Sequence, residues 1–229
     1  MKIQGLAKLT LLDFPGRVAC TVFFGGCNLR CPFCHNAGLV LSPSQYDQID
    51  EEALYSFLKK RKGVLDGVAI TGGEPLLQPE LARMMRRIRE LGYAVKLDTN
   101  GTFPERLGAL LAEGLVDYVA MDIKNDEAHY AETAGVPVDL DAVKASIRLI
   151  QEKAPDYEFR TTVVSAFHTC DSIRGAAELI RGAKRYFLQK FVDSGALLKP
   201  GLTGCTREEM EKMAEKAREI IPDTQLRGV

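Results

Sequence analysis

The sequence predicts an α/β fold in which parallel strands alternate with helices. Short apolar runs rich in β-branched residues recur along the chain, and an amphipathic segment follows each of them. Six such β-then-α units with short connections imply parallel strands and right-handed crossovers. Their regular spacing is typical of a barrel or a doubly wound open sheet. Nothing in the sequence resembles a linker, so we expect one domain over residues 1–229.

The elements are predicted as follows, in chain order. Residues 1–16 form an edge hairpin or loop, because Phe14-Pro15-Gly16 is a turn signal. The first predicted helix has three acids at its start and basic residues at its end, which suits the helix dipole. Gly63, Gly92 and Gly114 mark predicted helix ends. The predicted strands cover residues 17–24, 67–71, 94–98, 118–122, 157–164 and 185–189, and the helices cover 50–62, 78–91, 104–113, 140–152, 172–181 and 207–220.

The bulk composition argues against several classes of partner. The formal net charge is −1, which argues against strong binding to nucleic acid or to an anionic membrane. No apolar run approaches the roughly 18 residues needed to span a bilayer. The first residues lack a signal-peptide pattern. We therefore expect a cytoplasmic protein with no nucleic-acid and no membrane partner.

Three of the six cysteines are clustered, and they are the strongest chemical signal in the chain. Cys27, Cys31 and Cys34 have the spacing C-x3-C-x2-C. In a long chain without an export signal, such a cluster indicates metal binding or catalysis rather than disulfides. Soft sulfur ligands select zinc, copper(I) or iron–sulfur clusters. Cys20 lies in an apolar run and is predicted to pack in the core, and we assign no role to the two remaining cysteines, Cys170 and Cys205.

Polar or glycine-rich segments follow the predicted strands. Because the carboxyl ends of parallel strands form the active-site face, we expect these segments to converge on the cysteine loop. They are the segments 71–75, 98–101, 122–124 and 165–168.

A structural zinc site is the alternative interpretation of the cysteines. Such a site normally has four closed ligands, and His35 could supply the fourth. However, His35 directly follows Cys34, and adjacent residues rarely turn to one ion. Three cysteines on a four-iron cluster would instead leave one iron open for a small chelating ligand.

The cysteine motif resembles the signature of the radical S-adenosylmethionine (SAM) superfamily. Its spacing, with Phe33 before the last cysteine, matches the usual form, and Gly72-Gly73-Glu74-Pro75 one strand later strengthens the resemblance. The resemblance implies one [4Fe–4S] cluster on the three cysteines, with SAM on the open iron. It further implies that Gly72 and Gly73 let the backbone approach SAM, and that Glu74 accepts hydrogen bonds from its ammonium group. A tight strand-to-helix turn is the alternative interpretation of this segment.

More of the chain resembles a narrower group, the activating enzymes of glycyl radical enzymes. The resemblance is closest to the anaerobic ribonucleoside-triphosphate reductase activating proteins, and it covers nearly the whole chain. It implies an incomplete (β/α)6 barrel. Many other activases carry an inserted ferredoxin-like segment with further cysteines, and none lies between Asn36 and Asp50, so we expect one cluster. The segments that resemble this group are 34–36, 97–101, 121–124 and 160–164.

The narrower resemblance also implies roles for individual side chains. Asp122 and Lys124 would hold SAM and the glycine-bearing loop of the substrate, and Asp98 and Asn100 would lie beside them. The alternatives are a surface ion pair for Asp122 and Lys124, and turn chemistry for Asp98 and Asn100. Arg160 lies within an apolar strand and needs an anionic partner, either the SAM carboxylate or a neighbouring acid.

The two histidines near these motifs are open to more than one interpretation. His35 is expected to be a polar loop residue, or to support the site from behind, rather than to bind iron. His168 is expected to be a loop residue, although its position after a strand leaves room for a substrate role.

The resemblance implies a reaction in which the reduced cluster splits SAM into methionine and a 5′-deoxyadenosyl radical. That radical would take a hydrogen atom from a glycine of a partner glycyl radical enzyme, with a reduced flavodoxin or ferredoxin as electron donor. One alternative is a radical SAM enzyme that acts on a small molecule or a peptide. Another is a non-catalytic iron–sulfur protein that carries electrons or senses SAM.

Overall fold

A single eight-stranded sheet organises the computed structural model, which describes residues 3–193, 195 and 197–229. The strands are hydrogen-bonded in sequence order. The first strand pairs antiparallel with the second, and every later strand runs parallel to its neighbours. The strands are β1 (Ile3–Thr10), β2 (Ala19–Phe24), β3 (Gly67–Gly72), β4 (Ala94–Thr99), β5 (Tyr118–Asp122), β6 (Tyr157–Val163), β7 (Tyr186–Lys190) and β8 (Thr224–Arg227).

Helices connect the parallel strands. Two of them, α1 and α5, have only five residues, whereas the others have nine to fourteen. The helices are α1 (Ala37–Leu41), α2 (Glu51–Lys60), α3 (Leu81–Glu90), α4 (Pro104–Ala112), α5 (Tyr130–Ala134), α6 (Leu140–Lys153), α7 (Cys170–Leu179) and α8 (Arg207–Arg218). Within the described ranges, none of them is long and apolar enough to cross a membrane.

The strand order decides between the two predicted architectures. A doubly wound sheet reverses its strand order at a switch point, whereas here the order follows the sequence throughout. Among the described residues β1 and β8 do not pair, so the barrel is not closed. The six β-then-α units from β2 to β7 confirm the predicted incomplete (β/α)6 barrel. The expectation of one domain stays a prediction.

The structure adds elements that the sequence did not predict. Strand β8 extends the sheet beyond the sixth unit, and α1 and α5 interrupt two loops. Strand β8 has four residues, of which only Leu226 is apolar, and five-residue helices are too short to show a hydrophobic period. The described part of residues 1–16, predicted as a hairpin or loop, contains the edge strand β1, whose partner β2 begins beyond it at Ala19.

The core lies between the sheet and one apolar face of each long helix. In α3, Met84, Met85 and Ile88 are fully buried, while the arginines of the same helix pair with acids at the surface. Burial of such side chains contributes about 1.5–3 kcal/mol each. Cys20 is fully buried in this core, as predicted, and burial raises the pKa of its thiol to about 12.

Charged side chains also lie in the interior, below the carboxyl ends of the strands. Glu158 of β6 is almost fully buried and accepts two hydrogen bonds from Arg227 of β8, at 2.8 and 2.7 Å. The Tyr118 hydroxyl donates a third, at 2.8 Å. Burial raises the pKa of Glu158, but the hydrogen bonds and charge of Arg227 outweigh it and bring the pKa below its usual value. The buried Glu158 carboxylate is stable because Arg227 and Tyr118 donate hydrogen bonds to it.

Candidate active site

Three of the four segments predicted to converge on the cysteine loop line one cavity, and the segment 165–168 does not. The cavity lies at the carboxyl edge of β2 to β6 and has an empty volume of about 840 Å³, including solvent at its mouth. All three clustered cysteines line it. The predicted residues that also line it are Gly72, Gly73, Asp98, Asn100, Asp122, Lys124, Arg160 and His35.

Neighbouring loops hold the cysteine loop in place. It begins after β2, and Gly26 has a positive φ of 86° that favours glycine. The Gly26 N–H donates to Leu39 O, and the Arg30 N–H donates to Ala134 O, both at 2.9 Å. The Lys199 N–H donates to Pro32 O at 2.9 Å. The loop is therefore attached to α1, to α5 and to the segment before α8.

The three thiols are reduced and lie in a low-dielectric setting. None forms a disulfide. Burial raises the pKa of Cys27, Cys31 and Cys34, while the nearby Lys124 ammonium lowers each of them. A metal centre would replace these protons, because the thiolate is the form that binds metal.

The three thiols that line the cavity offer a set of soft donors that suits an iron–sulfur cluster. Within the described residues, no group of three or more Cys, His, Asp or Glu side chains could hold one metal ion. A structural zinc site needs four ligands around one ion, so the three cysteines alone do not complete one. A [4Fe–4S] cluster binds each thiolate through a different iron, so its ligands stand further apart around one cavity. The residues present fit such a cluster with three protein ligands.

The paired glycines bring the end of β3 against the cysteine loop. Gly72 has a φ of 115°, and a Cβ there would overlap the backbone of Phe24. A Cβ at Gly73 would overlap the carbonyl oxygen of Gly26. The Gly73 N–H donates to Phe24 O, and the next backbone N–H donates to Gly26 O, both at 2.8 Å. The missing side chains thus permit close packing of two backbones as well as access to the cavity.

Glu74 follows the paired glycines at the end of β3. Its carboxylate does not line the cavity and is almost fully buried. It accepts hydrogen bonds from Leu76 N–H at 3.0 Å, Thr99 Oγ1 at 2.9 Å and Asn100 N–H at 2.7 Å. Burial raises its pKa to about 7, although these donors favour the charged form. The carboxylate links the exits of β3 and β4, and its contact with the SAM ammonium group stays a prediction.

Pro75 likewise does not line the cavity. It begins the short 3₁₀ turn Pro75–Leu77 and is buried. Its fixed φ suits the first position of such a turn. This is the strand-to-helix turn that the sequence left as the alternative interpretation of this segment.

Two carboxylates and a guanidinium form the charged wall of the cavity. Arg160 Nε donates to Asp122 Oδ1 at 2.9 Å, and Arg160 Nη1 lies 3.4 Å from Asp98 Oδ2. Lys96, which is buried below the cavity, pairs with Asp98 from the other side. Of the two partners expected for Arg160, the structure supplies neighbouring acids.

The charges of this wall reinforce one another. Burial raises the pKa of Asp98 and Asp122, but the neighbouring cations outweigh it. The net effect holds the pKa of Asp122 at about 2 and that of Asp98 below its usual value. Both groups are therefore carboxylates at neutral pH.

Lys124 joins the charged wall to the cysteines. Its ammonium lies 3.2 Å from Asp122 Oδ2, and its side chain is 13% exposed. Burial lowers its pKa, but the charges of Asp122 and of the cysteines raise it further, so it stays protonated. The pair is inside the cavity and is not a surface ion pair, because the exposed fraction of Lys124 is small.

The two histidines have different environments. His35 lines the cavity, stacks on the ring of Phe191, and places Nε2 2.8 Å from Val192 O. His168 is a loop residue, as expected, but it is buried and outside the cavity. Its Nδ1 accepts the Val164 N–H at 3.1 Å, and its Nε2 donates to Lys124 O at 2.9 Å. Burial lowers its pKa, which keeps the ring neutral.

Sequence reasoning gave no individual role to several residues in or next to the cavity wall. Asn36 is the clearest case, because its Nδ2 donates to Gly72 O at 2.8 Å and so ties the cysteine loop to β3. Lys96 could have been identified from the sequence, because it lies two residues before Asp98 and therefore on the same face of β4. The other lining residues without an assigned role are Leu29, Phe33, Val40, Thr71, Thr99 and Thr162.

Comparison with known proteins agrees with this site. The family profile described as the radical SAM superfamily matches residues 21–168, which include the three clustered cysteines. A Methanocaldococcus jannaschii protein, provisionally named a glycyl-radical enzyme activating enzyme, is 30% identical over 197 residues, covering 82% of this chain and 79% of that protein.

Other relatives include a second activating enzyme and an enzyme of a different activity. The pyruvate formate-lyase-activating enzyme of Clostridium pasteurianum is 34% identical over 130 residues, covering 54% of this chain and 52% of that enzyme. The 7-carboxy-7-deazaguanine synthase of Thermococcus kodakarensis is 28% identical over 193 residues, covering 76% of this chain and 74% of that enzyme. The crystal structure of methylornithine synthase superposes with a TM-score of 0.66 at 15% identity, over 91% of this chain and 63% of that one. The last similarity concerns the fold alone.

Proposed function

Because the chain belongs to the radical SAM superfamily, we propose that it activates a partner enzyme by creating a radical on one of its glycines. It is a radical SAM enzyme whose cofactors are a [4Fe–4S] cluster and SAM. The finer proposal is supported most by the 30% identity to the M. jannaschii protein, which extends over 82% of this chain. The pyruvate formate-lyase-activating enzyme is a second relative with this type of name.

We assign the cluster to the three thiols that line the cavity. Cys27, Cys31 and Cys34 would bind one iron each, which leaves the fourth iron for SAM. When bound and reduced, the cluster supplies the electron that splits SAM and yields the 5′-deoxyadenosyl radical. The protein's own contribution is to hold the thiolates, to orient SAM and to exclude water.

The charged wall would bind the amino-acid part of SAM. Lys124 offers an ammonium to a carboxylate, and Asp122 and Asp98 offer carboxylates to an ammonium. Arg160 keeps both aspartates charged and fixed, since it lies between them. The backbone of Gly72 and Gly73 gives SAM room to lie against the end of β3.

The partner would be an anaerobic ribonucleotide reductase or a related glycyl radical enzyme. Its glycine loop would enter at the carboxyl edge of the barrel, where the cavity opens to solvent. A reduced flavodoxin or ferredoxin would supply the electron. The hydrogen atom removed from the glycine Cα would leave with 5′-deoxyadenosine.

A second candidate is a radical SAM enzyme acting on a small molecule. The similarity to the T. kodakarensis 7-carboxy-7-deazaguanine synthase favours it, because that similarity also extends over most of this chain. The discriminating product is a glycine-centred radical on a partner protein, which only the first candidate makes.

The proposed site is tested by anaerobic reconstitution with iron and sulfide, followed by dithionite and SAM. We expect the wild-type chain to form 5′-deoxyadenosine and Cys31→Ala to lose both iron and product. Cys170→Ala is the matched control, because Cys170 lies in the first turn of α7 and not in the cavity. The site assignment fails if Cys31→Ala keeps the iron content and turnover of the wild type.

A further inference from the structure

Asn100 lies at the end of β4. All the hydrogen bonds of its side-chain amide are made with the cysteine loop and with its own turn. Oδ1 accepts from Thr102 N–H at 3.0 Å and from Thr102 Oγ1 at 2.7 Å. Nδ2 donates to Asn28 Oδ1 at 2.9 Å and to Cys27 Sγ at 3.8 Å. The residue is 6% exposed. An amide has two acceptor sites and two donors, and all four are in use.

The orientation of this amide is fixed by its partners. A backbone N–H can only donate, so the Thr102 N–H must face Oδ1 of Asn100 and not Nδ2. The donor side then faces Asn28 and the cysteine sulfur. Asn28 Nδ2 donates in turn to Thr102 Oγ1 at 2.9 Å, which closes a ring of side-chain hydrogen bonds between the two loops.

The sulfur of Cys27 therefore has two N–H donors. The second is the backbone N–H of Leu29, at 3.4 Å. Hydrogen bonds to the sulfurs of an iron–sulfur centre are one of the factors that set its potential. A donor stabilises the reduced form more, because that form carries more negative charge.

We propose that Asn100 is a positioning residue that holds Cys27 and raises the reduction potential of the cluster through its amide N–H. The inference rests on the proposed assignment of Cys27 as a cluster ligand. It gives Asn100 a role other than direct contact with SAM, because every donor and acceptor of its amide is already in use.

Two variants separate the hydrogen bond from the charge. Asn100→Asp keeps an acceptor for Thr102, removes both donors and adds a negative charge. Asn100→Leu removes the donors and adds no charge. We expect redox titrations of the reconstituted proteins, followed by EPR, to show a lower midpoint potential in both variants than in the wild type. The lowest value is expected for Asn100→Asp. For Asn100→Leu the expected loss is about tenfold in the reduction equilibrium, or about 59 mV for one electron.

Asn28→Ala is the matched control for loop stability. It removes a member of the same ring that makes no hydrogen bond to the sulfur, so we expect the midpoint potential to stay at the wild-type value. If neither Asn100 variant assembles a cluster, Thr102→Val tests the inference instead. It removes the hydrogen bond from Thr102 Oγ1 to Asn100 Oδ1 and so holds the amide less firmly. We then expect a smaller downward shift.

The outcome is distinct from that of the proposed function. An unchanged midpoint potential in both Asn100 variants at full iron content would overturn this inference, as would an unchanged value in Thr102→Val where only that variant assembles. Neither result would affect the assignment of the cysteines. Full iron content in Cys27→Ala would instead remove the premise itself.

Discussion

Arg160 Nε donates a hydrogen bond to Asp122 Oδ1 at 2.9 Å, across the register that pairs the two residues on β5 and β6. The same guanidinium reaches Asp98 on β4. Three neighbouring strands are thus joined at their carboxyl ends by one cation. The arrangement keeps two carboxylates charged beside the cysteine loop, and the first prediction follows from it.

Arg160→Met should destabilise the protein substantially. It would leave Asp98 and Asp122 with fewer partners, and their side chains are only 17% and 36% exposed. Removing one partner from a buried pair costs about 3–5 kcal/mol, and the partial exposure of Asp122 reduces this to about 2–4 kcal/mol. The free energy of unfolding in guanidinium chloride measures the loss.

Arg86→Met is the matched control for that measurement. Its partner is Glu113 at 3.0 Å, and both side chains are almost half exposed. Surface pairs contribute about 0–1 kcal/mol. Equal losses for the two variants would show that the Arg160 cluster has no special role in stability.

Asp122 should make stability depend on acid pH. Its pKa is about 2 in the folded protein and close to 3.8 when unfolded, because Arg160 and Lys124 favour the carboxylate. An acid with a lowered pKa stabilises the fold above its unfolded pKa, and this contribution disappears as the pH falls through its folded pKa. The advantage of wild type over Asp122→Asn should therefore shrink by about 1–2 kcal/mol between pH 5 and pH 2, after allowance for exposure.

Urea unfolding of both proteins across that range measures the change. An advantage that stays constant, or that grows toward pH 2, would contradict the charge assignment of this wall.

Gly73→Ala should disrupt the contact between β3 and the cysteine loop. The added methyl group would overlap a backbone oxygen, which cannot rotate away as a side chain could. We expect a loss of several kcal/mol in unfolding free energy, as in severe overpacking, together with reduced iron content after reconstitution. Gly108→Ala, in the middle of α4, is the control. Its methyl group would meet Leu149 of α6 at 3.6 Å, which is an ordinary contact. That variant should be unchanged or up to about 1 kcal/mol more stable.

His168→Phe should weaken SAM binding without touching the cavity. The variant leaves Lys124 O and the Val164 N–H without their imidazole partner, at a cost of about 1–3 kcal/mol in stability. Because Lys124 shifts with its carbonyl, we expect a higher KM for SAM in assays of 5′-deoxyadenosine and little change in iron content. His129→Phe is the exposed counterpart and should change stability by no more than about 0.5 kcal/mol. A rise in KM in both variants would contradict the specific role of His168.

The parts of the site that could be predicted are those marked by short sequence motifs. The cysteine spacing, the paired glycines and the polar residues after each strand are all contained in short segments, so the sequence located the cavity and most of its wall. The roles of Glu74 and Asn100 could not be predicted in this way. Both depend on donors from other loops, and their partners are fixed only when the strands align.

The limits of fold prediction have a similar cause. Strand β8 has too few apolar residues to show a pattern and forms only by pairing with β7. The choice between barrel and doubly wound sheet depends on strand order, which a single sequence of alternating elements does not contain.

The central claim, radical formation on a partner's glycine, is tested most directly by hydrogen transfer from that glycine. The reconstituted protein is incubated anaerobically with SAM, reduced flavodoxin and an anaerobic ribonucleotide reductase containing α-deuterated glycine. We predict deuterium in the 5′-deoxyadenosine and a glycine-centred EPR signal on the reductase, both absent with Cys31→Ala. Formation of 5′-deoxyadenosine without deuterium and without a protein radical would contradict the claim and favour a small-molecule substrate.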